Sequence, residues 1–168
     1  MTTADSKTNA ISRITIATLF PLTVLTMLPV TGVVPILREL IKDRYDVSEF
    51  STSLFMSINM IGALLAAPLL GWLSDRTGWT RSILIVAALV DALLWYLFTL
   101  GPSFSVLLFL RFIEGAAHIG ALSMLMAIMS HASTGSKRRA RMAAMGGAVI
   151  FGVAIGAPLG GILGQQDI

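Results

Sequence analysis

Cysteine is absent from the 168 residues. Disulfides, thiol chemistry and cysteine-based zinc sites are excluded with it. Charge is scarce, at 12% of residues, where soluble domains carry about 25%. No nucleophile–base spacing, metal-ligand cluster or phosphate-cradling glycine loop can be picked out. The chain is therefore read as not an enzyme, with no cofactor and no metal site expected. A cleavable leader is not expected either. The first apolar run is long, contains Pro21 and Pro29, and ends in Arg38-Glu39 without a small-x-small cleavage site.

What the chain has is apolar length. Hydrophobic residues make up 55%, and the mean hydropathy is +0.83. Several runs approach the roughly 20 residues that cross a hydrocarbon core. The expected class is an all-α integral membrane protein with five transmembrane helices. They cover about Ile14–Leu37, Ser51–Trp72, Ser82–Leu100, Phe104–Ser130 and Met142–Leu163. Residues 1–13 read as a cytoplasmic tail and residues 14–168 as the membrane domain. Pro21, Pro29, Gly32 and Pro35 predict kinks in the first helix, where neighbours re-satisfy the freed backbone groups.

The cations set the orientation. Lys7, Arg13, Arg76, Arg81, Lys137, Arg138, Arg139 and Arg141 fall on one side of such a bundle. Arg38, Lys42 and Arg44 fall on the other, among acids, in the mixed loop Arg38–Glu49. The first side is expected to be cytoplasmic, with the N-terminus inside and the C-terminus outside. The net charge of +3 does not point to nucleic acid. The Lys137–Arg141 cluster is short, lacks interleaved aromatics and lies between two spans. The lipid bilayer is the expected partner.

Three stretches stand out. Gly71–Arg81 reads Gly-Trp-Leu-Ser-Asp-Arg-Thr-Gly-Trp-Thr-Arg, a charged hinge between the second and third spans. Asp75 and Arg76 are expected just past the second helix, Gly71 at a close packing contact, Gly78 in a left-handed turn and Arg81 as a second cation closing the loop. In the fourth span Arg111, Glu114 and His118 share one helical face. A charge at mid-membrane costs about 3 kcal/mol on insertion scales, so this face should point inward. Asp91 of the third span lies at the depth of Glu114, making a contact geometrically allowed if the faces match. Two readings stay open: an ion pair that fixes packing, or a proton or substrate pathway through Arg111, Glu114, His118 and Asp91. His118 and His131 differ in depth and do not suggest a shared metal. In the fifth span Gly152, Gly156, Gly160 and Gly164 recur every four residues, with Gly147, Gly161 and Pro158 beside them. Such a stripe lets backbones approach closely, and Pro158 removes one backbone donor. It reads as a tight static seam or as a hinge. The nine Met residues are scattered and read as packing.

The spacing Gly-x-x-x-Asp-Arg-x-Gly-x-x-Arg over Gly71–Arg81 resembles the loop between the second and third helices of the major facilitator superfamily. Arg111-Phe-Ile-Glu-Gly115 resembles its fourth-helix motif, with Glu114 where the family often has Gln. Gly152-x-x-x-Gly156-Ala-Pro-Leu-Gly160-Gly161 looks like the fifth-helix motif of its drug–proton antiporters, although Ala157 separates Gly156 from Pro158. The resemblance covers nearly the whole chain. It implies the first five helices of a six-helix half, in the N-terminal portion of a secondary transporter. It further implies alternating access, proton coupling, a latch role for Asp75 and a proton role for Arg111. First-helix acids of multidrug exporters are lacking, since Thr15–Pro35 is uncharged. The expected partners are a small-molecule solute and the missing C-terminal half, from the same gene or a separate chain, or else a second copy. A bacterial-type inner membrane is the expected location. The alternative is a non-transporting membrane subunit that binds a partner through the glycine seam of the fifth helix.

Overall fold

The computed structural model describes residues 3–133 and 135–164, with side-chain detail for 17–37, 41–42, 44–133, 135 and 137–163. Lys7, Arg13, Arg38 and Glu39, assigned above to membrane edges, lie outside those side chains.

The described residues form α1 (Thr3–Tyr45), α2 (Glu49–Thr77), α3 (Thr80–Thr99), α4 (Phe104–His131) and α5 (Gly135–Gly164). All five are long and apolar enough to cross a membrane. Most run longer than the sequence suggests. α1 begins inside the stretch expected as a tail and continues through most of the expected loop. Its 43 residues, at about 1.5 Å each, far outrun a ~30 Å hydrocarbon core. Asp75 and Arg76 lie within the last turns of α2, and Arg81 in the first turn of α3. Lys137–Arg141 likewise belong to α5. Once past the hydrocarbon, helical backbone remains satisfied internally while its charged side chains reach water, so charge marks the membrane edge and not the helix end.

The chain divides into two compact units, one from Met1–Val34 with Leu125–Ile168, the other Pro35–Met124. In the first, Leu19, Thr23 and Met27 of α1 are buried, as are Leu125 and Met129 of α4 and Met145 and Ala148 of α5. Thr23 donates to the Leu19 carbonyl at 2.9 Å, which keeps its buried hydroxyl satisfied. The turn into α5 is clasped by Arg141, which donates to the Ala132 carbonyl at 2.8 Å and to Ser133 Oγ at 3.0 Å.

In the second unit, Phe55 of α2, Leu94 of α3 and Ala117 and Ala121 of α4 are buried. Tyr45, ending α1, donates to the Pro102 carbonyl at 2.7 Å and pins the turn between α3 and α4. Outward-facing large residues such as Leu64, Leu89 and Phe109 are exposed. Such surface suits acyl chains and would be a liability in water.

Candidate functional site

The fourth helix carries the most buried membrane window of the five, at 44% against 17% in α2 and α3. Its charges lie inside. Arg111 and Glu114 are 2% and 0% exposed and pair at 2.9 Å through Nη1 and Oε2. The pair is at ion-pair distance without the alignment of a hydrogen bond, so both groups still lack hydrogen-bond partners at those atoms. The Arg111 guanidinium also stands 5.7 Å from the Phe55 ring centre and 5.8 Å from that of Trp95, close enough for cation–π attraction.

Asp91 of α3 completes the layer. Its Oδ2 lies 3.8 Å from His118 Nδ1. Ligand-type atoms of Asp91, Glu114 and His118 all fall within 4.8 Å of one another. The structure thus brings together the four polar residues singled out on α3 and α4. As a possible metal partner for His118 the sequence offers His131, at a different depth, and His131 sits at the exposed end of α4. The neighbours of His118 prove to be two carboxylates. Among the described residues, Asn59, Asp91, Trp95, Arg111, Glu114 and His118 hold the buried side-chain atoms that lack a hydrogen-bond partner. Unmet polar capacity in a dry interior is costly, and here it is gathered at charged groups rather than scattered. Two carboxyl groups, one guanidinium and one imidazole thus share this layer.

Phe55, Asn59 and Trp95 were missed. Trp95 follows Asp91 by four residues and so shares its face. Phe55, Asn59 and Gly62 form a similar face on α2. That face meets α4 at backbone contact. A β-carbon on Gly62 would overlap the Phe112 carbonyl, and one on Gly115 the Asn59 carbonyl. Glycine therefore sets the distance at which α2 lies beside Glu114.

The turn after α2 is well formed. Gly78 has φ +71 and its N–H caps the Ser74 carbonyl at 2.8 Å, as expected for a left-handed helix end. Ser74 and Thr80 hydroxyls bridge the turn at 2.8 Å. Asp75 and Arg81 are exposed, and among the described residues neither makes an ion pair or hydrogen bond. Arg76 stands 5.3 Å from the Trp72 ring centre. The close contact expected at Gly71 is not made among the described residues, where a β-carbon meets nothing within 4 Å. Gly78→Val should therefore cost about 1–3 kcal/mol through left-handed strain. Gly71→Ala should stay within about 0.5 kcal/mol of wild type. Unfolding in mixed detergent micelles reads both.

The glycine stripe of α5 faces α1. A β-carbon on Gly152 would come within 2.6 Å of Met27 Cβ, one on Gly156 would strike Thr31, and one on Gly160 would strike the Gly32 backbone. That face is thus occupied within the chain and is not open to a partner. Gly147 and Gly161 are off the seam, with nothing within 4 Å of an added β-carbon. Pro158 lies inside α5 on an exposed position. The surroundings of Gly164 lie outside the described residues.

An apolar groove of about 560 Å³ lies along α2, α3 and α4 beside Leu73, Trp79, Ile83 and Val86. No titratable side chain lines it, so the polar layer remains the candidate site.

Helices of lipid-crossing length that turn charge inward and apolar bulk outward define a multi-pass integral membrane protein. The sequence matches the profile of the Major Facilitator Superfamily over residues 19–166, and the chain belongs to that family. Members of the family are transporters rather than enzymes. No curated protein and no solved structure gives a match.

Proposed function

We propose that this chain supplies the N-terminal portion of a secondary active transporter that moves a small solute by alternating access, coupled to protons, in the manner of the drug–proton antiporters. The buried Arg111–Glu114 pair carries the proposal. A carboxylate held at 0% exposure beside a fixed cation is expensive in lipid and is retained where charge must move. Glu114 is the group that takes and gives up a proton, Arg111 governs it, and Asp91 and His118 extend the pathway. Asp75, Arg76, Gly78 and Arg81 form the latch turn on the cytoplasmic side, with the N-terminus on that side too. Alternating access needs two bodies moving about one site. Further helices, from the same gene, a separate chain or a second copy, supply the other body.

The test is flux in vesicles holding the chain together with the helices that complete it. Under an imposed pH gradient, Glu114→Gln should abolish proton-driven solute movement while solute exchange persists. Asp75→Asn should slow both. Unchanged flux in both variants discards the assignments.

A further inference from the structure

We propose that Asp91, Glu114 and His118 form a binding site for a first-row divalent transition-metal ion of the Zn²⁺ or Co²⁺ kind. The inference goes beyond the transport reading and rests on equilibrium chemistry alone. Glu114 and His118 are four residues apart on α4, so one helical turn presents a carboxylate oxygen and an imidazole nitrogen on the same face. This is the spacing by which a single helix offers two ligands to one metal. Asp91 brings the third from α3.

The distances fit. Donor atoms about 2.0–2.2 Å from one ion in a tetrahedral site stand roughly 3.3–3.6 Å apart. Here Asp91 Oδ2 and His118 Nδ1 are already 3.8 Å apart, and all three donors fall within 4.8 Å of one another. Side-chain rotations that move the donors by up to about 1 Å close the set. The free valences fit as well. Asp91 Oδ1, Glu114 Oε1 and His118 Nδ1 are buried and have no hydrogen-bond partner among the described residues. Glu114 itself is 0% exposed.

The donor types choose the ion. Two carboxyl groups and an imidazole are a donor set suited to a divalent cation. The imidazole favours zinc-like ions over magnesium or calcium, which prefer oxygen alone. Three protein ligands leave a fourth position open, as in zinc sites that exchange a ligand. Arg111 faces Glu114 Oε2 and positions that carboxylate without donating to the ion. Asp91 and His118 keep 11% and 13% side-chain exposure.

The test uses the full chain without a polyhistidine tag, purified in detergent and titrated with Co²⁺ alone. Visible absorption of the bound ion is the readout, and Zn²⁺ the competitor. Wild type should bind one Co²⁺ saturably and release it to Zn²⁺. Asp91→Asn and His118→Gln should each raise Kd at least about tenfold, while His131→Gln at the exposed end of α4 should leave it unchanged. X-ray absorption of the wild-type complex needs no variant and should report one imidazole nitrogen among carboxylate oxygens. Wild type that takes up no Co²⁺, as when Asp91 and His118 pair as carboxylate and imidazolium, overturns the site. So does binding that survives His118→Gln, or a shell without imidazole.

Discussion

Gly160→Ala is expected to push α1 off α5. The new β-carbon falls on the Gly32 carbonyl oxygen, with Gly32 Cα 2.7 Å away. All the atoms it meets are backbone, so no rotamer change relieves the clash. Overpacking costs typically about 1–3 kcal/mol, and the upper end applies where neither partner can yield. Gly161→Ala adds the same methyl one residue along, where nothing lies within 4 Å. It should be neutral or better, because alanine exceeds glycine by up to about 1 kcal/mol in helix propensity. Unfolding by increasing dodecyl sulfate in mixed micelles separates the two. Coincident curves would mean that α1 and α5 do not meet at Gly32.

Arg111→Met is expected to be the most damaging change in the polar layer. It leaves Asp91 and Glu114 within 4.8 Å of each other and without their fixed cation. Breaking a buried pair from one side costs about 3–5 kcal/mol. Adding Glu114→Leu removes the orphaned partner and should recover most of that loss. A double-mutant cycle on unfolding gives the coupling directly. A coupling below about 0.5 kcal/mol would mean that the two residues act independently. The doubly apolar protein also divides packing from transport. It should fold, yet show no proton-driven flux once its completing helices are present.

The parts of this structure legible in the sequence are those set by short-range rules. Gly78 was readable because only glycine turns left-handed cheaply at a helix end. The shared face of Arg111, Glu114 and His118 followed from helical period, and the level of Asp91 from counting along two spans. What counting does not give is rotation about each helix axis. That is why Phe55 and Asn59 on α2, and Trp95 on α3, went unremarked beside the charges. It is also why the contact of Gly62 and Gly115 was not foreseen. Helix ends were misplaced for a different reason. Asp75, Arg76 and Lys137–Arg141 are polar because they leave lipid, and the helices continue regardless. Gly71 matches the motif, and among the described residues nothing lies within 4 Å of an added β-carbon there.

The glycines of α5 have a mechanical consequence. Gly152, Gly156 and Gly160 meet α1 at four-residue intervals, notches spaced by about 6 Å of helix rise. A shorter displacement along the axis would bring a β-carbon where only a hydrogen fits. The pair therefore has discrete registers, like teeth of a rack. It can hold one or skip a whole notch, but it cannot creep.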